Sequence, residues 1–130
     1  MVKKKEIVIK YLELLEKGNI KNLLKLFSEN CIVDSPVYGI RKAQQFYSDL
    51  NNDTLNSELH LKGIFEEKDS NRIAVYFNFK WTLINNKQVD FDVVDVIEFN
   101  DLNQITRLKI IYDTVKSRKV VKKLNKKDQD

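Results

Sequence analysis

The spacing of hydrophobic residues changes once along this chain, from a helical period in the first half to alternation in the second. Apolar side chains first recur at intervals of three and four residues, at Ile7, Val8, Tyr11, Leu12, Leu14 and Leu15. This spacing predicts a helix. Gly18 is placed to end that helix in the left-handed conformation, and Asn19 is placed to cap a second, short helix. The apolar face of the second helix comprises Ile20, Leu23, Leu24 and Phe27.

A short strand and a third helix follow. Residues 31–35 have the composition of a strand that ends at Pro36, the only proline of the chain. Helical spacing then returns at Ile40, Ala43, Phe46, Tyr47 and Leu50. The polar residues 51–53 close this predicted third helix.

From about residue 58 onward, apolar and polar residues alternate, which is the pattern of strands with one buried face. Polar turns at residues 68–71, 85–87 and 100–103 divide this part into an antiparallel meander. Helices followed by an antiparallel run predict an α+β fold, with the helices packed on one face of a curved sheet.

One predicted strand, residues 91–99, carries an acidic residue on its apolar face. Alternation places Asp95 on the same face as Phe91, Val93, Ile97 and Phe99. A carboxylate on a core face is costly unless it is protonated, paired or hydrogen-bonded. Two interpretations therefore stay open: an ion-paired or cavity-edge acid, and a neutral aspartic acid held in an apolar pocket.

Composition narrows the class of protein. The chain has 130 residues, of which 32% are charged and 42% hydrophobic, and this is typical of one soluble globular domain. Lys10, Glu13 and Glu16 interrupt the only N-terminal apolar stretch, so we expect neither a signal peptide nor a membrane span, and a cytoplasmic location. A single cysteine, Cys31, and a single histidine, His60, predict no internal disulfide and no zinc site.

Positive charge is concentrated at the C-terminus. Residues 114–130 hold seven Lys or Arg and two Asp, whereas the whole chain has a formal net charge of +4. Such a segment can contact nucleic acid through phosphates, but this one has no aromatic residue for stacking on bases. We therefore expect a domain over residues 1–115 and a flexible basic tail over residues 116–130, with nucleic acid an unfavoured partner.

Several residues together resemble a known family. The order of elements, the Gly18-Asn19 break, and the segments Val33–Gly39 and Ile110–Asp113 are similar to the nuclear transport factor 2-like superfamily, in particular to its ketosteroid-isomerase-like and SnoaL-like (polyketide cyclase) branch. The resemblance covers roughly residues 5–114. It implies a cone, in which a strongly curved, mostly antiparallel sheet wraps around the N-terminal helices and its open end forms a pocket.

The resemblance also implies roles for individual residues. In ketosteroid isomerase a tyrosine and a protonated aspartic acid form an oxyanion hole, and a second aspartate moves the proton. Tyr11 and Asp95 occupy the oxyanion-hole positions in this sequence, and Ser35 stands where the family has its base. A serine hydroxyl does not accept a proton at neutral pH without a base beside it. Asp34 is adjacent, but alternation directs it to the opposite face.

The expected pocket wall is apolar and aromatic. Its candidate ligand-binding residues are Phe27, Phe46, Phe77, Phe79, Trp81, Val93, Ile97 and Tyr112. Tyr11 could equally be a core tyrosine whose hydroxyl satisfies Asp95. Two function classes follow: a cofactor-independent isomerase, cyclase or lyase acting on a small apolar, carbonyl-bearing molecule, and a non-catalytic ligand-binding or dimeric protein-interaction module. The resemblance also implies a homodimer through the outer face of the sheet, where alternation places Ile64, Val94 and Val96.

Overall fold

Residues 3–129 are described by a computed structural model, and of residues 125–129 the backbone alone. Met1, Val2 and Asp130, which the predicted domain and tail include, lie outside the described residues. Within the described range the helices are α1 (Lys4–Lys17), α2 (Ile20–Leu24), α3 (Ala43–Asp53) and α4 (Val115–Gln129). The strands are β1 (Phe27–Ser35), β2 (Gly39–Lys42), β3 (Thr54–Glu66), β4 (Arg72–Leu83), β5 (Gln88–Phe99) and β6 (Ile105–Ile111).

The six strands form one curved, unclosed sheet in the order β2-β1-β6-β5-β4-β3. Every neighbouring pair is antiparallel except β1 and β6, which are parallel. The helices α1 and α3 contact strands of this sheet, and the buried apolar residues of both layers form one core. The predicted α+β fold with a curved, mostly antiparallel sheet and N-terminal helices is confirmed.

The first helix ends as its sequence predicts. Gly18 has a φ of 69°, in the left-handed region, and its N–H bonds to the carbonyl of Leu15 while the N–H of Asn19 bonds to that of Leu14. These paired bonds satisfy carbonyls that would otherwise be unbonded at the helix end. The side chain of Asn19 then accepts from the N–H of Asn22 and caps α2.

Each predicted turn of the meander contains one polar residue in the left-handed conformation. Asp69, Asn86 and Asn103 have φ values of 56°, 68° and 59°. Asp and Asn tolerate this region better than other non-glycine residues because their short side chains can bond to the local backbone. The turns therefore hold β3, β4, β5 and β6 in the registers that place every second residue against the core.

Three local predictions differ from the structure. The first strand begins at Phe27 rather than at Cys31, and Ile40 lies in β2, 67% exposed, rather than in α3. In β3 the pairing register shifts between Leu61 and Gly63, which is a β-bulge. Because a bulge exchanges the faces of all later residues, Ile64 packs against the core and Phe65 lies on the outer face, 60% exposed.

The C-terminal segment also differs from the expected flexible tail. Val115–Gln129 is helical, and Ser117, Val121 and Leu124 are buried. These three residues recur at spacings of four and three, so they share one face of the helix. In the part of the chain that the structure describes, no helix has both the length and the apolar character that crossing a membrane requires.

Candidate functional site

An apolar cavity of about 50 Å³ lies between α1, α3 and the inner face of the sheet. Its wall consists of Tyr11, Leu15, Ser35, Tyr38, Phe46, Tyr47, Leu50, Phe77, Phe79, Trp81, Phe91, Val93, Asp95, Ile110 and Tyr112. This set includes three of the four predicted catalytic residues and six of the eight predicted ligand-binding residues.

Asp95 supplies the acidic group of this wall. It lies in the middle of β5, between Val75 of β4 and Ile110 of β6, and is 1% exposed. Its Oδ1 atom is buried and has no hydrogen-bond partner among the described residues. Burial raises the pKa of this carboxyl well above its ordinary value, because the charged form loses its hydration. Burial therefore favours the neutral acid, which can donate one hydrogen bond and accept others.

The hydroxyl groups of Tyr11 and Tyr47 lie 2.6 Å apart and form a buried hydrogen bond. Burial raises the pKa of both well above the ordinary value, and the proximity of Asp95 acts in the same direction. Among the described side chains no hydrogen bond joins Tyr11 to Asp95, so the direct contact that the core interpretation of Tyr11 requires is not formed. One hydroxyl of the tyrosine pair donates to the other, which leaves one hydroxyl proton free.

Sequence analysis did not identify Tyr47 as a site residue, although it placed Tyr47 on the apolar face of α3. A fully buried tyrosine hydroxyl normally has a hydrogen-bond partner, and this rule was the available signal. Phe27 stacks on Tyr47, with ring centroids 5.5 Å apart, and lies 6.0 Å from the ring of Tyr11. Phe27 therefore packs against the tyrosine pair and is absent from the cavity wall, contrary to its predicted contact with a ligand.

Ser35 and Asp34 lie on opposite sides of β1, as alternation predicts. Ser35 is 4% exposed, lines the cavity and accepts a hydrogen bond from the N–H of Tyr38 at 3.4 Å. Asp34 is half-buried outside the cavity, in register with Ile40 of β2 and Lys109 of β6. Ile97, predicted to contact ligand, is also outside the cavity and is part of the core below it.

Every titratable group that lines the cavity has a raised pKa. These groups are Tyr11, Tyr38, Tyr47, Asp95 and Tyr112. Burial raises the pKa of each one, in the case of Tyr112 to about 12. A raised pKa favours the protonated form, so these groups are suited to donate hydrogen bonds.

Three half-buried aromatic residues form the rim of the cavity: Tyr38 in the turn between β1 and β2, Phe91 in β5, and Tyr112 just after β6. The rings of Phe91 and Tyr112 stack with centroids 4.4 Å apart. The hydroxyl of Tyr38 donates to Asp53 Oδ2 at 2.6 Å. Deeper in the wall, Trp81 Nε1 donates to Thr54 Oγ1 at 2.8 Å. These contacts fix the aromatic side chains around the cavity opening.

No protein-family profile matches the chain, and no curated protein does either. Solved structures do match. An NTF2-like protein of unknown function from Burkholderia pseudomallei K96243 matches with a TM-score of 0.77 and 15% identity, over 90% of this chain and 95% of that one. The chain has the nuclear transport factor 2-like fold. This confirms the fold that the resemblance of the sequence implied.

Two further structures with the nuclear transport factor 2-like fold are enzymes or ligand complexes. TerC, co-crystallised with polyporic acid, matches with a TM-score of 0.77 and 15% identity, over 92% of this chain and 98% of that one. SalBIII, an epoxide hydrolase/cyclase-like enzyme with a role in pyran ring formation in the polyether salinomycin, matches with a TM-score of 0.74 and 21% identity, over 85% of this chain and 90% of that one. This fold supports many activities, so the activity has to be inferred from the cavity.

Metal binding receives no support from the described side chains. Within residues 3–124 no three His, Cys, Asp or Glu side chains come together as a ligand set. Cys31 is buried on β1, outside the cavity wall, and burial raises the pKa of its thiol to about 12. At neutral pH this residue is a packed thiol rather than a thiolate ligand or nucleophile.

Proposed function

We propose that the chain binds a small, neutral, apolar molecule with a carbonyl or enol oxygen, and that Asp95 donates a hydrogen bond to this oxygen. The observation that carries the proposal is the Asp95 side chain, which belongs to the wall of an apolar cavity and whose buried Oδ1 atom has no hydrogen-bond partner among the described residues. An unbonded buried polar atom costs free energy, and a ligand that completes the hydrogen bond recovers it.

The tyrosine pair supplies a second donor for the same ligand atom. The free hydroxyl proton of the Tyr11–Tyr47 pair and the acid proton of Asp95 belong to side chains of one small cavity. Two donors directed at one oxygen stabilise the negative charge that develops when a carbonyl is polarised. A neutral ligand fits this wall because a charged one would lose its hydration without a counter-ion.

Catalysis is the second candidate, and the two-donor arrangement favours it. Ser35 occupies the base position of ketosteroid isomerase, so the chain lacks the aspartate that moves a proton in that enzyme. The supported activity is one that needs a polarised oxygen without an ionised base: cofactor-independent cyclisation, dehydration or isomerisation, with water or the substrate as the proton acceptor. The likeness to SalBIII, described as epoxide hydrolase/cyclase-like, is in keeping with this class.

A pair of shape-matched probes tests the binding proposal. Cyclohexanone and methylenecyclohexane have nearly the same shape, and only the ketone can accept a hydrogen bond. We expect chemical-shift titration to show tighter binding of the ketone, by roughly 1–2 kcal/mol for a buried hydrogen bond. Asp95→Asn, which keeps a donor, should preserve this preference, and Asp95→Leu should remove it. Asp92→Leu, on the outer face of β5, is the matched control. Equal binding of both probes to the unmodified protein would contradict the proposal.

We also propose that the chain forms a homodimer through the outer face of the sheet. Neighbouring strands place Phe65, Val94, Val96 and Ile111 on that face, and Phe65 and Ile111 are 60% and 49% exposed. Around this apolar centre charges of both signs alternate, since Asp90 is in register with Lys80, Asp92 pairs with Lys62, and Glu98 is in register with Arg107. A two-fold axis lying in the plane of the interface would place this apolar centre of one copy against that of the other.

The outer-face dimer predicts a specific response to charge. Val96→Lys places a cation in the apolar centre of the proposed interface and should convert the dimer to a monomer in sedimentation velocity. Gln88→Lys, an exposed change near the start of the same strand, should leave the assembly unchanged. A monomeric unmodified protein at micromolar concentration would contradict this proposal.

A further inference from the structure

The cavity is small for a ligand-binding site. Its volume of about 50 Å³ is well below the roughly 300–1,000 Å³ of typical small-molecule pockets. Tyr38, Phe91 and Tyr112 narrow its opening, and each of these side chains is fixed by a hydrogen bond or a ring contact. A ligand therefore enters only when part of the rim moves.

Helix α4 is attached to one side of that rim and borders a surface depression on the other side of Trp81. It follows Tyr112 after two residues, and the charge of Arg118 acts on the hydroxyl of Tyr112. Arg118 also donates to the carbonyl oxygen of Pro36 at 2.5 Å, in the turn that carries Tyr38. At the other side, Lys116 borders a surface depression together with Trp81 and Val89. The first turns of α4 thus cross from the β1–β2 turn to the adjoining ends of β4 and β5.

Few hydrogen bonds attach α4 to the rest of the protein. Among the described side chains of α4, only that of Arg118 forms a hydrogen bond to a residue before Asp113. Ser117 is completely buried, and its hydroxyl lies near that of Tyr112 without a hydrogen bond of normal geometry. A buried polar group that is not properly bonded destabilises the docked state.

Electrostatic repulsion adds to this weakness. Between residues 115 and 124 the helix carries five cations and no carboxylate. Like charges three and four residues apart destabilise a helix. Only a short apolar stripe, which includes Val121 and Leu124, offsets these terms by burial.

We propose that α4 is a lid, which undocks about the hinge at residues 113–114 and so admits ligand to the Asp95 cavity. The inference rests on the proposed binding function of this cavity. In the closed state the Arg118–Pro36 hydrogen bond and the buried stripe hold α4 across the rim. In the open state the bond between α4 and the β1–β2 turn is broken, and the sheet and its core remain folded.

Trp81 provides a measurement of opening that needs no ligand. It is the only tryptophan of the chain, is 2% exposed, and lies between the cavity and the depression beside Lys116. Acrylamide quenching of its fluorescence therefore reports access beneath α4. We expect the quenching constant to rise several-fold in Val121→Asn, which places an amide in the buried stripe. Lys122→Asn, the same new residue at the adjacent exposed position, should leave it unchanged.

Cys31 separates lid opening from loosening of the whole fold. Its thiol is 1% exposed on β1, outside the cavity wall, so a thiol-reactive disulfide reagent reaches it only when the core opens. In Val121→Asn, faster quenching of Trp81 with unchanged labelling of Cys31 supports the lid. Arg118→Met, a milder change that removes only the hydrogen bond to Pro36, should give a smaller rise of the same kind.

Two outcomes would overturn the inference. If quenching and labelling rise together in both variants, α4 is part of the cooperative core and not a lid. If neither changes in either variant, α4 does not control access. Since the assay uses no ligand, a lid that opens as expected over a cavity that does not prefer the ketone would refute the binding proposal alone.

Discussion

Asp92 and Asp95 lie on the same strand, three residues apart, and have opposite electrostatic surroundings. The side chain of Asp92 is 50% exposed and accepts hydrogen bonds from Lys62 at 3.1 Å and from Tyr76 at 3.2 Å. The bond from Lys62 is the main cause of the lowered pKa of Asp92. Asp95 is buried, Oδ1 has no partner among the described residues, and burial raises its pKa.

An odd separation along a strand causes this difference, because it places the two side chains on opposite faces of the sheet. On the outer face a carboxyl group remains hydrated and pairs with a lysine. On the inner face burial favours the neutral form of the same group, which can then donate a hydrogen bond. The candidate site therefore depends on the face of β5 that an acid occupies, and not on the acid itself.

The largest difference in the free energy of unfolding should be between two variants that each place one new acid on one face of β5. Val93 is 3% exposed and lines the cavity, whereas its neighbour Val94 is half-buried on the outer face. We expect Val93→Asp to lower the free energy of unfolding by about 3 kcal/mol or more, since it buries a second polar group in place of an apolar one. At protein concentrations at which the chain is monomeric, Val94→Asp should cost under about 1 kcal/mol. Urea denaturation measures both, and equal costs would contradict the difference between the faces.

Removing each natural acid should change stability in opposite directions. Asp95→Leu removes an unbonded buried carboxyl, so we expect the free energy of unfolding at pH 7 to rise by about 1–3 kcal/mol. Asp92→Leu removes a surface ion pair with Lys62 and should lower stability slightly, as exposed pairs do. A large loss in Asp95→Leu would instead indicate an ionised Asp95 with a buried cationic partner.

Asp95 also predicts a dependence of stability on pH. Its pKa is raised on folding, so its contribution is fully present below the unfolded pKa of about 3.9. The contribution is then lost as the pH rises toward the folded pKa, at about 1.4 kcal/mol per pH unit. Asp95→Asn should therefore gain stability relative to the unmodified protein between pH 4 and pH 7. Thermal or urea unfolding at several pH values measures this difference, and a flat difference would be inconsistent with a neutral Asp95.

The pH dependence of stability that is due to Asp92 should be the smallest of these effects, and it should have the opposite sign to that of Asp95. Its folded pKa is lowered, so the contribution of its pairing is present above the unfolded pKa and is lost as the pH falls through the folded one. Asp92→Asn should approach the stability of the unmodified protein at low pH and fall slightly below it at pH 7. Added salt should reduce that gap, because the pair with Lys62 is exposed.

Alternation along each strand was enough to place Asp95 and most of the cavity wall, because burial of one face fixes every second residue. It failed where the backbone departs from the regular period. The bulge before Gly63 exchanged the faces of Ile64 and Phe65. A bulge cannot be predicted from a single sequence, because no residue type is specific to it.

Two other features depend on tertiary contacts that the sequence does not contain. The bond between Tyr11 and Tyr47 joins residues from α1 and α3 that are 36 positions apart, so only the packing of the two helices could identify it. The docking of α4 depends on a buried stripe that includes Val121 and Leu124, whereas the surrounding lysines predicted a solvated tail. In both cases packing overrides the local composition.

The central claim, that Asp95 is a neutral acid inside the cavity, can be measured directly by following the carboxyl carbons of aspartate residues in an NMR titration. The account predicts that the Asp95 resonance keeps the chemical shift of the protonated acid from pH 3 to pH 7, while the Asp92 resonance has already moved to that of the carboxylate over the same range. An Asp95 resonance that titrates near its ordinary pKa of about 3.9, together with that of Asp92, would contradict the claim.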